Sequence, residues 1–209
     1  MRHKIISKLK TLIQRAKNNQ EGVAAIEFAL LAPILIALYY GLAETTKAIA
    51  VDRSVSHATS VAGDLATQTS NITRSDLEDI LSATLQIIED TSPEKVTIAL
   101  ESYGVGVGLI GPDMRVPVGS AIMNPGAAPL PPFNVDSINP RLLNTTSGVI
   151  VSRVAYNYSP LKLRFLKTDF TLSDTFVLKP RKSSITLFDN QILKRYTCQS
   201  SGKRNVRCS

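Results

Sequence analysis

The sequence predicts an α+β fold, with a long N-terminal helix followed by a short helix and an antiparallel β-rich domain. An apolar run at residues 23–43 is long enough to cross a membrane as a helix. A second stretch with helical spacing follows at 75–88, and from residue 95 onward apolar side chains recur at every second position, as in half-buried strands. Helices that precede the strands, instead of alternating with them, are typical of the α+β class.

Residues 23–43 are predicted to form a transmembrane helix. The run holds 21 residues and one charge, that of Glu27, and as a helix it would be about 31 Å long, close to the thickness of a bilayer's hydrocarbon core. The leader, residues 1–22, holds six Lys or Arg and one Glu. Basic residues beside a membrane helix stay in the cytoplasm. We therefore expect a single-pass membrane protein, with a cytoplasmic N-terminus and a C-terminal domain on the outer side of the membrane. Because the basic leader accounts for most of the net charge of +7, we expect no nucleic-acid partner.

Residues 44–92 are predicted to form a helical region outside the membrane. The first helix should continue to about Ala62, because neither proline nor glycine interrupts it after the apolar run. Such a helix would be near 60 Å long. Pro33 should bend it gently, since proline leaves one helical hydrogen bond unmade.

The second helix is expected to start at a capping box. Ser75 and Glu78 have the required spacing, in which each side chain accepts a free backbone N–H from the other residue. Pro93 should end the helix region. One apolar stripe is expected to pack on the sheet: Leu77, Ile80, Leu81, Leu85 and Ile88.

Residues 93–183 are predicted to form the β-rich domain. Alternating apolar side chains place strands at 96–100, 114–123, 149–157, 162–165 and 170–178. The segment 124–147 holds five prolines and is predicted to be a surface loop. Glycines at 105–111 match the spacing of a dinucleotide site, but Pro112 follows and no helix begins there, so we expect a hairpin instead. Parallel pairs need crossover connections, usually helices, and the region offers none, so the sheet should be antiparallel.

Residues 184–209 are predicted to form a basic tail that carries both cysteines. Outside the membrane, Cys198 and Cys208 are expected to form a disulfide. No metal site is expected, because no histidine and no further cysteine lies near them. The tail either binds an acidic polysaccharide, lipid or protein, or is a solvated end.

Two positions around the apolar run suit proteolytic cleavage. Gly41 and Ala43 are small residues at the spacing that a signal peptidase requires, so a cut after Ala43 would release a secreted domain. A cut after Gly22 would instead remove the leader and leave Val23 as the new N-terminus. Glu27 would then lie four residues from a free amine, and an acid inside a membrane usually needs such a partner.

The segment from Gly22 to Pro33 resembles the start of TadE-like minor pilins, or pseudopilins, of the Tad (tight adherence) system, which builds Flp-type type IV pili. The shared motif is a glycine, four residues, a glutamate and an aromatic residue, here Gly22, Glu27 and Phe28. The resemblance implies that a prepilin peptidase cuts between Gly22 and Val23 and that Glu27 is needed for processing or assembly. It also implies other pilins and Tad assembly-platform proteins as partners, and a role in adhesion or secretion-like machinery. The location that it implies is the bacterial inner membrane, with the C-terminal domain in the periplasm, or else the pilus or cell surface.

The sequence offers no candidate catalytic residue and no cofactor site. Its two histidines, His3 and His57, lie in the leader and on the long helix, and no hydrolase or metalloprotease motif occurs. We therefore expect a structural subunit and not an enzyme. Two alternatives stay open: an uncleaved, membrane-anchored accessory protein of the same machinery, and a secreted binding module cut after Ala43.

Overall fold

The structure, a computed structural model, describes residues 21–88, 92–106, 114–160 and 169–209. The chain divides into two compact units, Met1–Thr46 and Lys47–Ser209. The described part of the first unit is the N-terminal portion of a long helix. The second unit contains the rest of that helix, a second helix and the described strands.

The first helix, α1, spans Glu21–Thr67. It passes through Gly63 and ends five residues later than the sequence predicted. Glycine weakens a helix by about 1 kcal/mol relative to alanine, but here α1 lies so close to the sheet that a Cβ on Gly63 would be 3.2 Å from Cβ of Ser152 and would clash with Leu178. The close packing of α1 on the sheet therefore favours a residue without a side chain at this position.

The second helix, α2, spans Arg74–Ile87, and its predicted apolar stripe is confirmed by burial. The predicted cap at Ser75 is wrong by two residues. The N-cap is Thr73, whose hydroxyl accepts the N–H of Asp76 at 3.3 Å, while the Asp76 carboxylate accepts the N–H of Thr73 at 3.0 Å. The pairs Thr73/Asp76 and Ser75/Glu78 both have the capping-box spacing. The Glu78 carboxylate, however, accepts the backbone N–H of Cys208 near the end of the chain.

Eight strands are described, numbered in chain order as β1 (Asn71–Ile72), β2 (Val96–Val105), β3 (Arg115–Met123), β4 (Val149–Tyr158), β5 (Phe170–Leu178), β6 (Leu187–Phe188), β7 (Lys194–Ser200) and β8 (Val206–Cys208). Six of them form one sheet in the order β5-β4-β2-β3-β7-β8. Its neighbours are antiparallel except for β3 and β7, which are parallel. Strands β1 and β6 form a separate parallel pair.

The α+β class is confirmed, but the expectation of a purely antiparallel sheet is wrong at β3–β7. A parallel pair needs a long crossover, and the chain supplies it with strands: it leaves β3, forms β4 and β5 across the sheet, and then returns to β7. The strands predicted at 114–123, 149–157 and 170–178 are confirmed. The one predicted at 162–165 lies outside the described residues, as does the glycine-rich stretch after Gly106.

One hydrophobic cluster joins α1 after residue 47, α2 and one face of the six-stranded sheet. The α1 side of the cluster consists largely of small residues, including Ala58, Ala62 and Ala66, all of which are fully buried. Small side chains allow the helix backbone to approach the sheet closely, and the larger side chains of α2 and of strands β2 and β4 fill the remaining volume.

The proline-rich segment 124–147 packs against the other face of the sheet. Ile138 and Leu143 of this segment form a second hydrophobic cluster with two residues of β4. The Arg115 guanidinium, at the start of β3, donates to the carbonyls of three segment residues, Val135, Asp136 and Ile138, at 3.0, 3.3 and 2.9 Å. The loop therefore has a defined position over the sheet.

Candidate functional site

The motif residues of the sequence lie in the first two turns of α1. Gly22, Val23, Glu27 and Phe28 are all exposed, Phe28 by 68% of its surface. Residues four apart lie on the same helix face, so the Glu27 carboxylate shares a face with Val23. Among the described residues, Glu27 has no hydrogen-bond or ion-pair partner.

Gly22 is not required by the packing of this chain. Among the described residues, no atom lies within 4 Å of a Cβ placed on it. The situation differs from that of Gly63, where a Cβ would be crowded by Ser152 and Leu178 of the sheet. Among the described residues, no contact therefore requires a glycine at position 22.

The apolar run that follows is exposed on all sides of the helix. Large apolar side chains with more than half of their surface exposed include Ile26, Leu30, Ile34, Leu38 and Leu42. Within the described residues, α1 is the single helix that is long and apolar enough to cross a membrane. Exposed apolar surface of this extent is unfavourable in water and is stabilised by lipid or by other apolar helices.

The end of the apolar run has the features of a membrane boundary. Tyr39 and Tyr40 lie there with 70% and 46% of their surfaces exposed, and tyrosines are enriched at membrane–water interfaces. The hydroxyls of Thr45 and Thr46 donate to helix carbonyls four residues earlier, at 2.8 and 2.9 Å. These polar side chains are thus satisfied within the helix as it leaves the apolar segment.

Cys198 and Cys208 form a disulfide between neighbouring strands β7 and β8. The neighbouring residues Thr197 and Ser209 exchange two backbone hydrogen bonds of 3.0 Å each. Cys198 and Cys208 therefore form a non-hydrogen-bonded pair, the kind in which side chains on neighbouring antiparallel strands lie closest together. Both cysteines are buried, with at most 1% of their surface exposed. The segment predicted to be a tail thus contributes strands to the sheet and a covalent link to its edge.

Glu78 connects this edge of the sheet to α2. Its carboxylate accepts the N–H of Cys208 at 2.9 Å and faces Arg74 on the same helix at 3.4 Å. The Cys208 hydrogen bond, with help from Arg74, lowers the pKa of Glu78 below its usual value. This role of Glu78 could not be predicted from the sequence, because a partner 130 residues away leaves no local signal.

A partly buried polar cluster lies under the proline-rich segment. Arg153 pairs with Glu101 at 2.8 Å and donates to the carbonyl of Pro131 at 3.1 Å. The hydroxyl of Tyr103 donates to the other Glu101 oxygen at 3.1 Å. Burial, followed by the nearby Glu101 charge, raises the pKa of Tyr103 to about 12. Each carboxylate oxygen of Glu101 is therefore engaged, and the cluster fixes the loop to the sheet.

An open pocket of about 320 Å³ lies beside the end of β7. Its central side chain, Asn124, is fully engaged: the amide nitrogen donates to Pro93, Val96 and Ser200, and the amide oxygen accepts the N–H of Ser200. Within the residues that the structure describes, no group of three or more His, Cys, Asp or Glu could hold a metal ion. His57 lies exposed on α1.

The family comparison identifies α1 as the characteristic part of the chain. The family model described as TadE-like protein matches residues 22–64, which begin at Gly22 and include the whole motif. We find no curated protein and no solved structure that matches the chain. The TadE-like pilus family is structural and not enzymatic, and the match indicates a Tad pilus-associated protein with an N-terminal membrane helix. From Gly22 to Asp64, the resemblance of this chain to the TadE-like family is confirmed.

Proposed function

We propose that this protein is a minor pilin, or pseudopilin, that a prepilin peptidase cuts between Gly22 and Val23 during assembly of a Tad-type pilus. The observation that carries the proposal is Gly22 itself. No described atom would crowd a side chain at this position, yet a glycine occupies it, five residues before Glu27 at the start of an exposed apolar helix. Requirements of the cutting enzyme would explain a glycine that the helix does not need.

After this cut, the Glu27 carboxylate would meet the new amine of Val23 on a neighbouring subunit. Within one helix the two groups share a face but are separated by about 6 Å of axial rise. A staggered neighbour could bring them into contact, and apolar surroundings would strengthen their attraction. The ion pair would then set the axial position at which a subunit joins the pilus.

In this proposal the C-terminal unit is periplasmic and the leader is cytoplasmic. Six basic residues before the membrane segment support this orientation, and so does the disulfide, which forms in oxidising compartments. Alkaline phosphatase fused after Ser209 should be active. The fusion point follows β7 and β8 because truncation before them would remove two strands of the sheet. An inactive fusion that is stably produced would reverse the orientation.

The secreted-module alternative requires a cut after Ala43, which would give a mature chain beginning at Glu44. This bond and the Gly22–Val23 bond both lie inside α1, so their place in the helix does not favour one cut over the other. The uncleaved accessory protein shares the membrane helix and the orientation with the proposed pilin. It differs in keeping residues 1–22, so the mature N-terminus separates the two functions.

The assembly role is tested by Glu27→Gln in a strain without the native gene. Glutamine is nearly isosteric and easier to place in a membrane, so the level of the protein in the membrane should stay the same while its amount in sheared pili falls. Asp52→Asn is the matched control, since Asp52 is another exposed acid on α1 outside the apolar run. Equal incorporation of Glu27→Gln and wild type would show that Glu27 is a tolerated acid near the membrane surface.

A further inference from the structure

The connection between β6 and β7 presents two aliphatic side chains to solvent. Ile192 and Leu193 are exposed by 48% and 49% of their surfaces and end a run of four exposed residues, 190–193. Single exposed apolar residues are common on protein surfaces. This pair differs because of its backbone.

Leu193 adopts the left-handed conformation, with φ at 64°. Asp189 and Asn190 in the same connection have φ values of 48° and 54°, but aspartate and asparagine tolerate this region, whereas leucine is disfavoured there. Glycine or asparagine would satisfy the backbone at position 193 with less strain. Because about half of the Leu193 side chain faces solvent, packing within this chain accounts for only part of the choice of leucine. Strained residues of this kind often have a functional role.

The connection is held rigidly at both ends. At its start, the N–H of Asp189 donates to the carbonyl of Ile72 at 3.0 Å, and the N–H of Asn190 donates to the side chain of Asn71 at 2.6 Å. At its end, the N–H of Leu193 donates to the carbonyl of Val118 at 2.6 Å. A loop that is already fixed loses little conformational entropy when it binds.

The residues that follow the pair are basic. Lys194 lies over the ring of Tyr196, 5.1 Å from its centre, and Arg195 is exposed. Among the described residues, Arg195 has no ion-pair partner. A protein that received the two aliphatic side chains could therefore place a carboxylate beside Arg195 without competition.

We propose that Ile192 and Leu193 form a preorganised anchor that inserts into an apolar pocket, bordered by carboxylates, on a neighbouring protein subunit. The identification of that neighbour as a pilus subunit rests on the proposed function. The anchor would supply apolar burial at the centre of the contact, and Arg195 would supply charge complementarity at its rim.

The test uses a photo-crosslinking amino acid at Gln191, an exposed neighbour of the pair, in the full chain in cells. We expect one discrete adduct with a protein. Leu193→Gly and Ile192→Ser should each lower its yield about tenfold, a loss of the size found for central interface residues. Leu142→Ser is the matched control, because Leu142 is also exposed, by 40%, and its adduct yield should equal that of wild type.

Thermal unfolding separates binding from folding. In Leu193→Gly, relief of the left-handed strain should offset the lost partial burial, so the midpoint should stay within about 2 °C of wild type. Adduct yields within twofold of wild type in both variants, or an adduct with lipid in place of protein, would overturn the anchor. A midpoint that falls together with the yield would assign Leu193 to folding and would also overturn it.

Sheared pili distinguish the anchor from the proposed function. If wild-type protein is found in the pili and the variants give unchanged adduct yields, the anchor is wrong and the pilin function stands. If wild-type protein is absent from the pili but adduct yield depends on Leu193, the anchor stands and the pilin function is wrong.

Discussion

Removal of the disulfide should destabilise the C-terminal unit by an amount that follows from the position of the bond. Cys198 and Cys208 are ten residues apart, and closing a loop of this length restricts the unfolded chain by about 2.7 kcal/mol. For a unit of this size, each kcal/mol shifts the unfolding midpoint by about 2–4 °C. The double variant Cys198→Ala/Cys208→Ala should therefore unfold about 5–11 °C below wild type.

The assay is thermal unfolding of the full chain in detergent, followed by the near-ultraviolet circular dichroism of tyrosine, because the chain has six tyrosines and no tryptophan. Reduced wild type is the control, since it loses the bond but keeps both buried sulfur atoms. It should lose nearly as much stability as the double variant. A loss below about 1 kcal/mol in both samples would show that the hydrogen bonds of β7 and β8, with the Glu78 contact, hold this edge without the bond.

Two further predictions concern the second unit. In Gly119→Ala the new Cβ would overlap the buried ring of Phe188, so the free energy of unfolding should fall by about 1–3 kcal/mol. Gly202→Ala is the control: its Cβ would have no atom within 4 Å, so the free energy of unfolding should change by less than about 0.5 kcal/mol. Equal unfolding midpoints for the two variants would refute the close contact at Gly119. Between about pH 10 and 12, the stability of the fold should decline as pH rises. The reason is that Tyr103 ionises at its ordinary pKa in the unfolded chain but at a pKa of about 12 in the folded one. Tyr103→Phe should remove the part of the decline that Tyr103 causes. Denaturant titrations of both proteins across this range test it, and identical slopes would contradict the raised pKa.

Local patterns were sufficient to predict most elements of the fold. Strand β5 was predicted with its observed bounds, 170–178, because its apolar residues alternate and turn-forming residues flank it. The stripe of α2 was predicted because helical spacing is a property of neighbouring residues. The motif of Gly22 and Glu27 was recognised for the same reason, since its residues lie within two helical turns.

Contacts between distant segments could not be predicted in this way. Thr73 and Ser75 both begin a capping-box pattern, but the Glu78 carboxylate that a box at Ser75 would use accepts the N–H of Cys208, 130 residues away. The parallel pairing of β3 with β7 likewise depends on where the chain returns after three intervening strands. The buried alternation of Tyr196 and Cys198 was a usable signal for β7, but the basic composition of the segment favoured the expectation of a tail.

The N-terminus of the mature protein tests the central claim most directly. Protein isolated from cells that contain a prepilin peptidase should begin at Val23, as read by N-terminal sequencing and intact mass. Gly22→Val should retain residues 1–22, whereas Ala43→Leu, which alters only the signal-peptidase position, should still begin at Val23. A wild-type chain that begins at Met1 would identify an uncleaved accessory protein, and one that begins at Glu44 would identify a secreted module; either result would contradict the pilin account.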